Sequence, residues 1–197
     1  MSETPHQTGA RHWGAVALTA LACLASTALT APQAPAAAPS ERTAVRAAAV
    51  GAAAPTLTRA QVPERAKTWL TANSGRPVPY AQDKYWKDGH RQDCSGCVSM
   101  ALGLWKPGPN TVSLKKADHT RPIAMSDLAP GDLVIKADSD NPNQRHVVVF
   151  DGWADGARTA YKSFEQAGGV GTRWKQHSCG VSGGDGHHAY RPVNIVD

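Results

Sequence analysis

The sequence predicts an α+β fold in which short helices come before an antiparallel sheet. Helix-like apolar patterns are confined to the first half of the region with ordinary globular composition. The second half is a succession of short β-branched and aromatic runs separated by Gly, Asp and Asn loops. We therefore expect helices packed on a C-terminal antiparallel meander of about five strands, which lie near residues 132–136, 146–152, 159–165, 170–176 and 187–193.

Two helices are predicted before the sheet. The first covers residues 63–72, because Pro63 suits a helix start and Trp69 and Leu70 are expected to face the core. The second begins at Cys94, since Asp93 is a typical N-cap residue and an apolar run follows, which ends near Lys106-Pro107-Gly108-Pro109. Residues 110–127 have no clear pattern and are left unassigned.

The N-terminal part of the chain differs from the rest in composition. Residues 1–31 contain an uncharged, Ala-rich apolar stretch behind Arg11 and His12, which is typical of a secretory signal peptide. Residues 32–58 are rich in Ala and Pro and cannot supply a core, which predicts a disordered linker or pro-segment. We expect one folded domain over residues 59–197, and a secreted, extracellular protein without stable membrane association once the signal is cleaved.

The charge of the chain excludes few classes of function. It carries 21 Lys and Arg against 16 Asp and Glu, a net charge of +5, and the charges are scattered. A scattered excess does not indicate nucleic-acid binding. It is compatible with attraction to anionic polymers at a cell surface, and equally with ordinary solubility. A monomer is expected.

The residues that carry chemistry begin with Cys94. A thiol in the first turn of a helix lies beside unpaired N–H groups and the positive end of the helix dipole, which stabilise a thiolate. His146 opens the β-branched run Val147-Val148-Val149 and is the candidate base. The imidazole then needs an orienting partner, and Glu165 and Gln166 near the end of a neighbouring strand are both candidates. Only one of them can reach His146, because adjacent strand residues face opposite ways.

Three cysteines remain after removal of a signal peptide, and an odd number leaves at least one thiol unpaired. A disulfide between Cys97 and Cys179 would leave Cys94 free. Alternatively, Cys97 packs inward as a small apolar residue. The spacing Cys94-Ser-Gly-Cys97 is also that of a redox motif, so an exported thiol-disulfide oxidoreductase is an alternative, although no βαβ pattern precedes it. No second paired motif accompanies these residues, and we expect neither metal nor cofactor.

Four motifs, in this order, resemble the NlpC-type family of papain-like bacterial cell-wall peptidases. They are Pro79-Tyr80, Asp93-Cys94-Ser95-Gly96, Leu128-x-Pro130-Gly131-Asp132-Leu133-Val134 and His146-Val147, and the resemblance covers most of residues 63–193. It implies a papain-like catalytic domain that hydrolyses an amide bond in peptidoglycan stem peptides through an acyl-enzyme. The bond typical of the family joins γ-D-glutamate to a diamino acid.

The resemblance also implies roles for individual residues. Cys94 would be the nucleophile, His146 the base, and Tyr80 a group that positions the substrate or the oxyanion. The backbone N–H of Cys94 would be a second oxyanion donor. Asp93 and Ser95 would cap and shape the turn. The related CHAP amidases use a glutamate on the strand that carries Glu165, so we favour Glu165 as the third residue, with Gln166 as the alternative.

The third position is often His, Asn or Gln in the family, so a glutamate there is one departure from its pattern. The chain departs from that pattern at two further places. Ala81-Gln82-Asp83-Lys84-Tyr85-Trp86 follows Tyr80 where two glycines are usual, and Cys97 stands where a larger apolar residue is common. The first departure predicts a different substrate groove. Peptidase, amidase and acyl-transfer activities all use the same thiolate chemistry and stay open here. A non-catalytic wall-binding module of the same fold is the remaining alternative.

Overall fold

The computed structural model describes residues 53–197. The predicted signal peptide (1–31) and most of the predicted linker lie outside the described residues. The helices are α1 (Gln61–Thr68), α2 (Cys94–Ala101) and α3 (Thr111–Leu114). The strands are β1 (Leu57–Thr58), β2 (Thr120–Pro122), β3 (Leu133–Lys136), β4 (His146–Trp153), β5 (Tyr161–Ala167), β6 (Gly171–His177), β7 (His187–Pro192) and β8 (Ile195–Val196). The predicted α+β class is confirmed.

The main sheet has six strands in the order β2-β7-β3-β4-β5-β6, and every neighbouring pair is antiparallel. This is one strand more than expected. The additional strand, β2, comes from the unassigned region 110–127 and has only three residues, the last of which is Pro122. So short a segment has no alternation that a sequence pattern could reveal.

The predicted meander is wrong for its last strand. Strands β3 to β6 are consecutive neighbours, but β7 pairs with β3 instead of β6. Strands β6 and β7 both run opposite to β3 and are therefore parallel to each other. Two parallel strands cannot be joined as a hairpin. Residues 178–186 therefore carry the chain back across the sheet. Cys179 and Val181 in this connection pack against one face of it.

The two faces of the sheet bury different clusters because side chains alternate along each strand. Val147 and Val149 of β4 pack with Val98 and Ala101 of α2, on the helical side. Val148 and Phe150 point the other way and pack with Tyr161, under a cover that includes Leu128 and the 178–186 connection. The helices thus lie on one face, which places the N-terminus of α2 near one end of the sheet.

The folded unit begins before the predicted boundary at residue 59. Leu57 and Thr58, inside the predicted linker 32–58, form β1 and pair in parallel with Ile195 and Val196 of β8. Leu57 is buried in the helical-side cluster. Composition near residue 57 gives no sign of this strand, since its partner lies at the other end of the domain.

The first helix is also shifted from its predicted range of 63–72. It runs from Gln61 to Thr68 and is closed by Trp69, whose N–H bonds back to carbonyls of the last turn. Trp69 is buried and Leu70 partly buried, as expected. No helix within residues 53–197 is long and apolar enough to cross a bilayer.

Candidate active site

Cys94 is the first residue of α2, and Asp93 caps the helix. Asp93 has an extended backbone, and its Oδ1 accepts hydrogen bonds from the Gly96 N–H (2.6 Å) and from the Ser95 hydroxyl (3.0 Å). Both side chains shape the turn, as the sequence predicts for them. The Cys94 thiol is 7% exposed, and its Sγ lies 3.7 Å from Thr111 Oγ1 of α3. Thr111 is a neighbour that sequence reasoning missed.

Arg91 holds this helix start in place. Its Nε donates to Asp93 Oδ2 (3.0 Å), and its terminal nitrogens donate to the Ser95 hydroxyl and to the carbonyl oxygens of Gly108 and Pro109. The guanidinium thus joins the cap of α2 to the loop that leads into α3. No local pattern could have identified Arg91, because two of its partners lie more than a turn beyond the helix it stabilises.

Gly96 is required by a close approach of the backbone. A Cβ at this position would lie 1.9 Å from the carbonyl oxygen of Arg91, and that atom cannot move aside without moving the chain. The glycine of the Asp-Cys-Ser-Gly motif therefore allows the segment before α2 to fold tightly over the first turn.

His146 and Glu165 form a short hydrogen-bonded pair. His146 Nε2 lies 2.6 Å from Glu165 Oε2, and the carboxylate, only 3% exposed, also accepts from Arg173 Nε at 2.6 Å. Burial of the Glu165 carboxyl would favour its neutral form, but the hydrogen bonds with His146 and Arg173 outweigh burial and lower its pKa to about 2. Glu165 is therefore an anion at neutral pH.

The imidazole of His146 interacts with Cys94 and with the Glu165 carboxylate. Burial of the ring opposes protonation, but the interactions of the ring with Cys94 and Glu165 outweigh this and raise the pKa of His146 to about 9. Because Nε2 is taken by Glu165, Nδ1 is the nitrogen left to face Cys94. The structure thus places His146 between Cys94 and Glu165, an arrangement that a nucleophile, a base and an orienting acid would require.

Gln166 does not reach His146. Its side chain is fully buried on the opposite side of β5, where its amide nitrogen donates to the carbonyl oxygens of Val78, Pro79 and Gln92 at 3.1–3.3 Å. Its oxygen accepts from the Thr172 hydroxyl. The alternative of Gln166 as the third residue is wrong, and the amide instead fastens the segments before Tyr80 and Cys94 to the sheet.

Arg173 is a further residue that sequence reasoning missed. Ala167 pairs with Gly171 across a tight hairpin, so Glu165 and Arg173 are directly opposite each other in the register of β5 and β6. Opposite charges at such a cross-strand position stabilise each other. The turn residues Gly168-Gly169 could have revealed this pair, because a hairpin turn sets the register of its strands.

Tyr80 lies at the middle of an open cleft with two lobes. One lobe, of about 410 Å³, is lined by His146, Glu165 and Arg173, and the other, of about 150 Å³, by Cys94 and Thr111. Tyr80 borders both. Burial raises the pKa of Tyr80 and outweighs the hydrogen bond from Gln82, which lowers it, so the hydroxyl keeps its proton and can donate.

Gln82, in the segment that follows Tyr80, lines both lobes of this cleft. The side-chain amide of Gln82 donates both to the Tyr80 hydroxyl (3.0 Å) and to Asn143 Oδ1 (3.2 Å). Asn143 belongs to a single 3-10 turn, Pro142–Gln144, before β4. The contact therefore separates the two lobes at the level of Tyr80.

Of the two alternatives for Cys97, inward packing is the one observed: Cys97 and Cys179 form no disulfide, and all three described cysteines are free thiols. Cys97 is 1% exposed and packs with Trp69, Val78 and Met100 on the helical side. Burial raises the pKa of the Cys97 thiol above its usual range. Cys179 packs on the opposite face of the sheet, with its Sγ 3.0 Å from the Tyr161 hydroxyl. The sheet separates the two residues.

The Pro130-Gly131-Asp132 motif has a structural role. Asp132 is completely buried and accepts from the side chains of Arg59 and Arg191 and from the Ala129 N–H. Gly131, with a φ of +89°, provides the left-handed turn into β3. Among residues 53–197, no three His, Cys, Asp or Glu side chains are placed to hold a metal ion.

Comparisons of the chain with protein-family models, with curated proteins and with solved structures found no match. The chemistry of the cleft must therefore be read from its own residues.

Proposed function

We propose that the protein is an exported, papain-like cysteine hydrolase that cleaves an amide bond in peptidoglycan stem peptides, with the bond after γ-D-glutamate as its target. The observation that carries the proposal is the short hydrogen bond between His146 and the buried anion Glu165, beside a cysteine at a helix start and in an open cleft. The substrate class rests on the resemblance of the ordered motifs to the NlpC-type family.

The residues support an acyl-enzyme mechanism. The Cys94 thiolate attacks the amide carbonyl carbon, and the Cys94 backbone N–H and the Tyr80 hydroxyl stabilise the resulting oxyanion. The His146 imidazolium gives its proton to the leaving nitrogen, the C–N bond breaks, and a thioester with Cys94 remains. Neutral His146 then accepts a proton from water, which attacks the thioester and releases the acid and the thiolate.

The same geometry favours hydrolysis over dithiol redox chemistry. An oxidoreductase needs a second thiol that can approach the first and react. Cys97 is buried among Trp69, Val78 and Met100, and burial disfavours its thiolate. We therefore expect Cys97→Ser to retain amide hydrolysis.

The proposal is tested by incubating the full-length protein with purified peptidoglycan and identifying the soluble products by mass spectrometry. We expect release of stem-peptide fragments by the wild type and by Cys179→Ser. Cys94→Ala and His146→Ala should lower the rate at least about 10³-fold. Wall binding by the wild type without release would instead identify a non-catalytic module. Retained release by Cys94→Ala would exclude this nucleophile.

A further inference from the structure

Arg145 lies in the cleft, directly before the proposed base. It follows the Pro142–Gln144 turn and has an extended backbone, with φ −104° and ψ 145°. Arg145 lines the smaller lobe of the cleft together with Cys94 and the larger lobe together with His146.

The cleft contains three arginines, and two of them are already paired. Arg91 donates to Asp93, Ser95 and two carbonyl oxygens, and Arg173 donates to Glu165. Arg145 is half-buried, and within residues 53–197 no acceptor lies within hydrogen-bonding distance of its guanidinium. The two carboxylates of the cleft, Asp93 and Glu165, are both bonded to the other arginines. One positive charge therefore stays available to a ligand.

We propose that Arg145 is a specificity-determining residue that binds a free carboxylate of the substrate on the acyl side of the cleaved amide. This inference rests on the proposed function. A γ-linked glutamyl residue keeps its α-carboxyl group free, and in the acyl-enzyme this residue is attached to Cys94. An arginine next to the nucleophile is thus placed to pair with that carboxylate, whereas an α-carboxamide offers no negative charge.

The inference makes a substrate preference measurable. Two stem peptides are compared that differ only in the α-position of the γ-D-glutamyl residue, one with the free carboxylate and one with the carboxamide. We expect kcat/KM of the wild type to be about ten- to a hundredfold higher for the carboxylate peptide, the range of a charge-assisted hydrogen-bonded pair. Arg145→Gln should reduce this ratio to within about threefold, mainly because kcat/KM for the carboxylate peptide falls.

Two matched variants separate charge from structure. Arg145→Lys keeps the positive charge but cannot form a bidentate pair with a carboxylate. It should therefore retain part of the preference for the carboxylate peptide. Arg121→Gln removes an exposed arginine of the edge strand β2, outside the cleft, and should leave the ratio unchanged. Thermal unfolding of each variant shows whether the fold is intact.

Binding to the Cys94→Ala protein, measured by calorimetry, makes the inference independent of turnover. We expect the Cys94→Ala protein to bind the carboxylate peptide more tightly than the carboxamide peptide, and the double variant with Arg145→Gln to bind both equally. This result supports the role of Arg145 even if the wild type cleaves neither peptide and the proposed function fails. The inference is overturned if the wild type and the Cys94→Ala protein treat both peptides alike. It is also overturned if Arg145→Gln weakens both peptides equally, since the guanidinium would then act on Cys94 or on the fold.

Discussion

Glu165 and Gln166 are adjacent in β5 and have opposite surroundings. Glu165 points to the cleft, where its carboxylate contacts His146 and Arg173. Gln166 points into the helical side of the fold, where it donates to three backbone carbonyl oxygens. The period of two along a strand predicts that only one of them reaches the base. The direction in which the strand faces decides which one, and that depends on packing.

The charge of Glu165 should set the alkaline limb of the activity profile. The imidazolium form of His146 protonates the leaving nitrogen, so kcat/KM should fall as pH rises through about 9, the pKa of His146. Glu165→Gln removes one of the contacts that raise this pKa. The alkaline limb should therefore move to lower pH, and kcat should fall at least about tenfold. The measurement is kcat/KM for stem-peptide hydrolysis as a function of pH.

Gln166→Ala is the comparison for this prediction. It should lower the free energy of unfolding, because buried carbonyl oxygens lose their donor. The alkaline limb should stay where it is. An unchanged limb in Glu165→Gln, or an equal shift in both variants, would contradict the assignment of Glu165 as the partner of His146.

The start of α2 shows how a short element is held by contacts outside itself. Eight residues are too few for a stable isolated helix. Asp93 caps the helix, and Arg91 connects that cap to the loop before α3. The position of Cys94 is therefore defined by a loop, a helix end and a second loop together. The backbone carbonyl of Arg91 lies directly against Gly96.

Gly96→Ala should destabilise this element strongly. The added Cβ would lie 1.9 Å from the Arg91 carbonyl oxygen, so the backbone must shift, at a cost of about 2–4 kcal/mol in the free energy of unfolding. Gly152→Ala in β4 is the matched control, since its Cβ would meet nothing within 4 Å. It should change stability by less than about 1 kcal/mol. Urea unfolding of both variants tests the difference, and equal losses would contradict the close approach.

At the scale of the whole molecule, Asp132 joins parts that are far apart in the chain. It directly precedes β3, and its buried carboxylate contacts Arg59, just before α1, and Arg191 in β7. The region before the helices and the returning strand β7 therefore share one anion. The parallel pair β1 and β8 closes the same region. The two ends of the described domain are thus fastened to each other.

Asp132→Asn should lower stability without changing the chemistry of the cleft. Two arginines lose their shared counter-charge, which should cost about 3 kcal/mol in the free energy of unfolding. Asp127→Asn, which changes an exposed carboxylate nearby, should cost less than about 0.5 kcal/mol. Urea unfolding measures both, and the pH dependence of kcat/KM should be the same in both variants. A shifted alkaline limb in Asp132→Asn would contradict a purely structural role.

Some parts of this fold were predictable because their causes are local. Alternation located β3 to β7 to within about two residues at their ends. The cap at Asp93 and the apolar run behind it located the start of α2. Strands β1 and β2 were missed because two or three residues carry no period. Their pairing with Ile195–Val196 and with β7 depends on distant segments.

The sequence by itself determined that a helix begins at Cys94, that a strand begins at His146, and that only one of Glu165 and Gln166 could serve that histidine. Short-range spacing, capping and alternation are sufficient for such statements. Only the tertiary structure decided that Glu165 faces His146, that Cys97 and Cys179 lie on opposite sides of the sheet, and that β7 returns to β3. It also decided that Arg91 and Arg173 are paired while Arg145 keeps a guanidinium toward the cleft. These outcomes depend on which face of each strand is buried and on which segments meet, and long-range packing determines both.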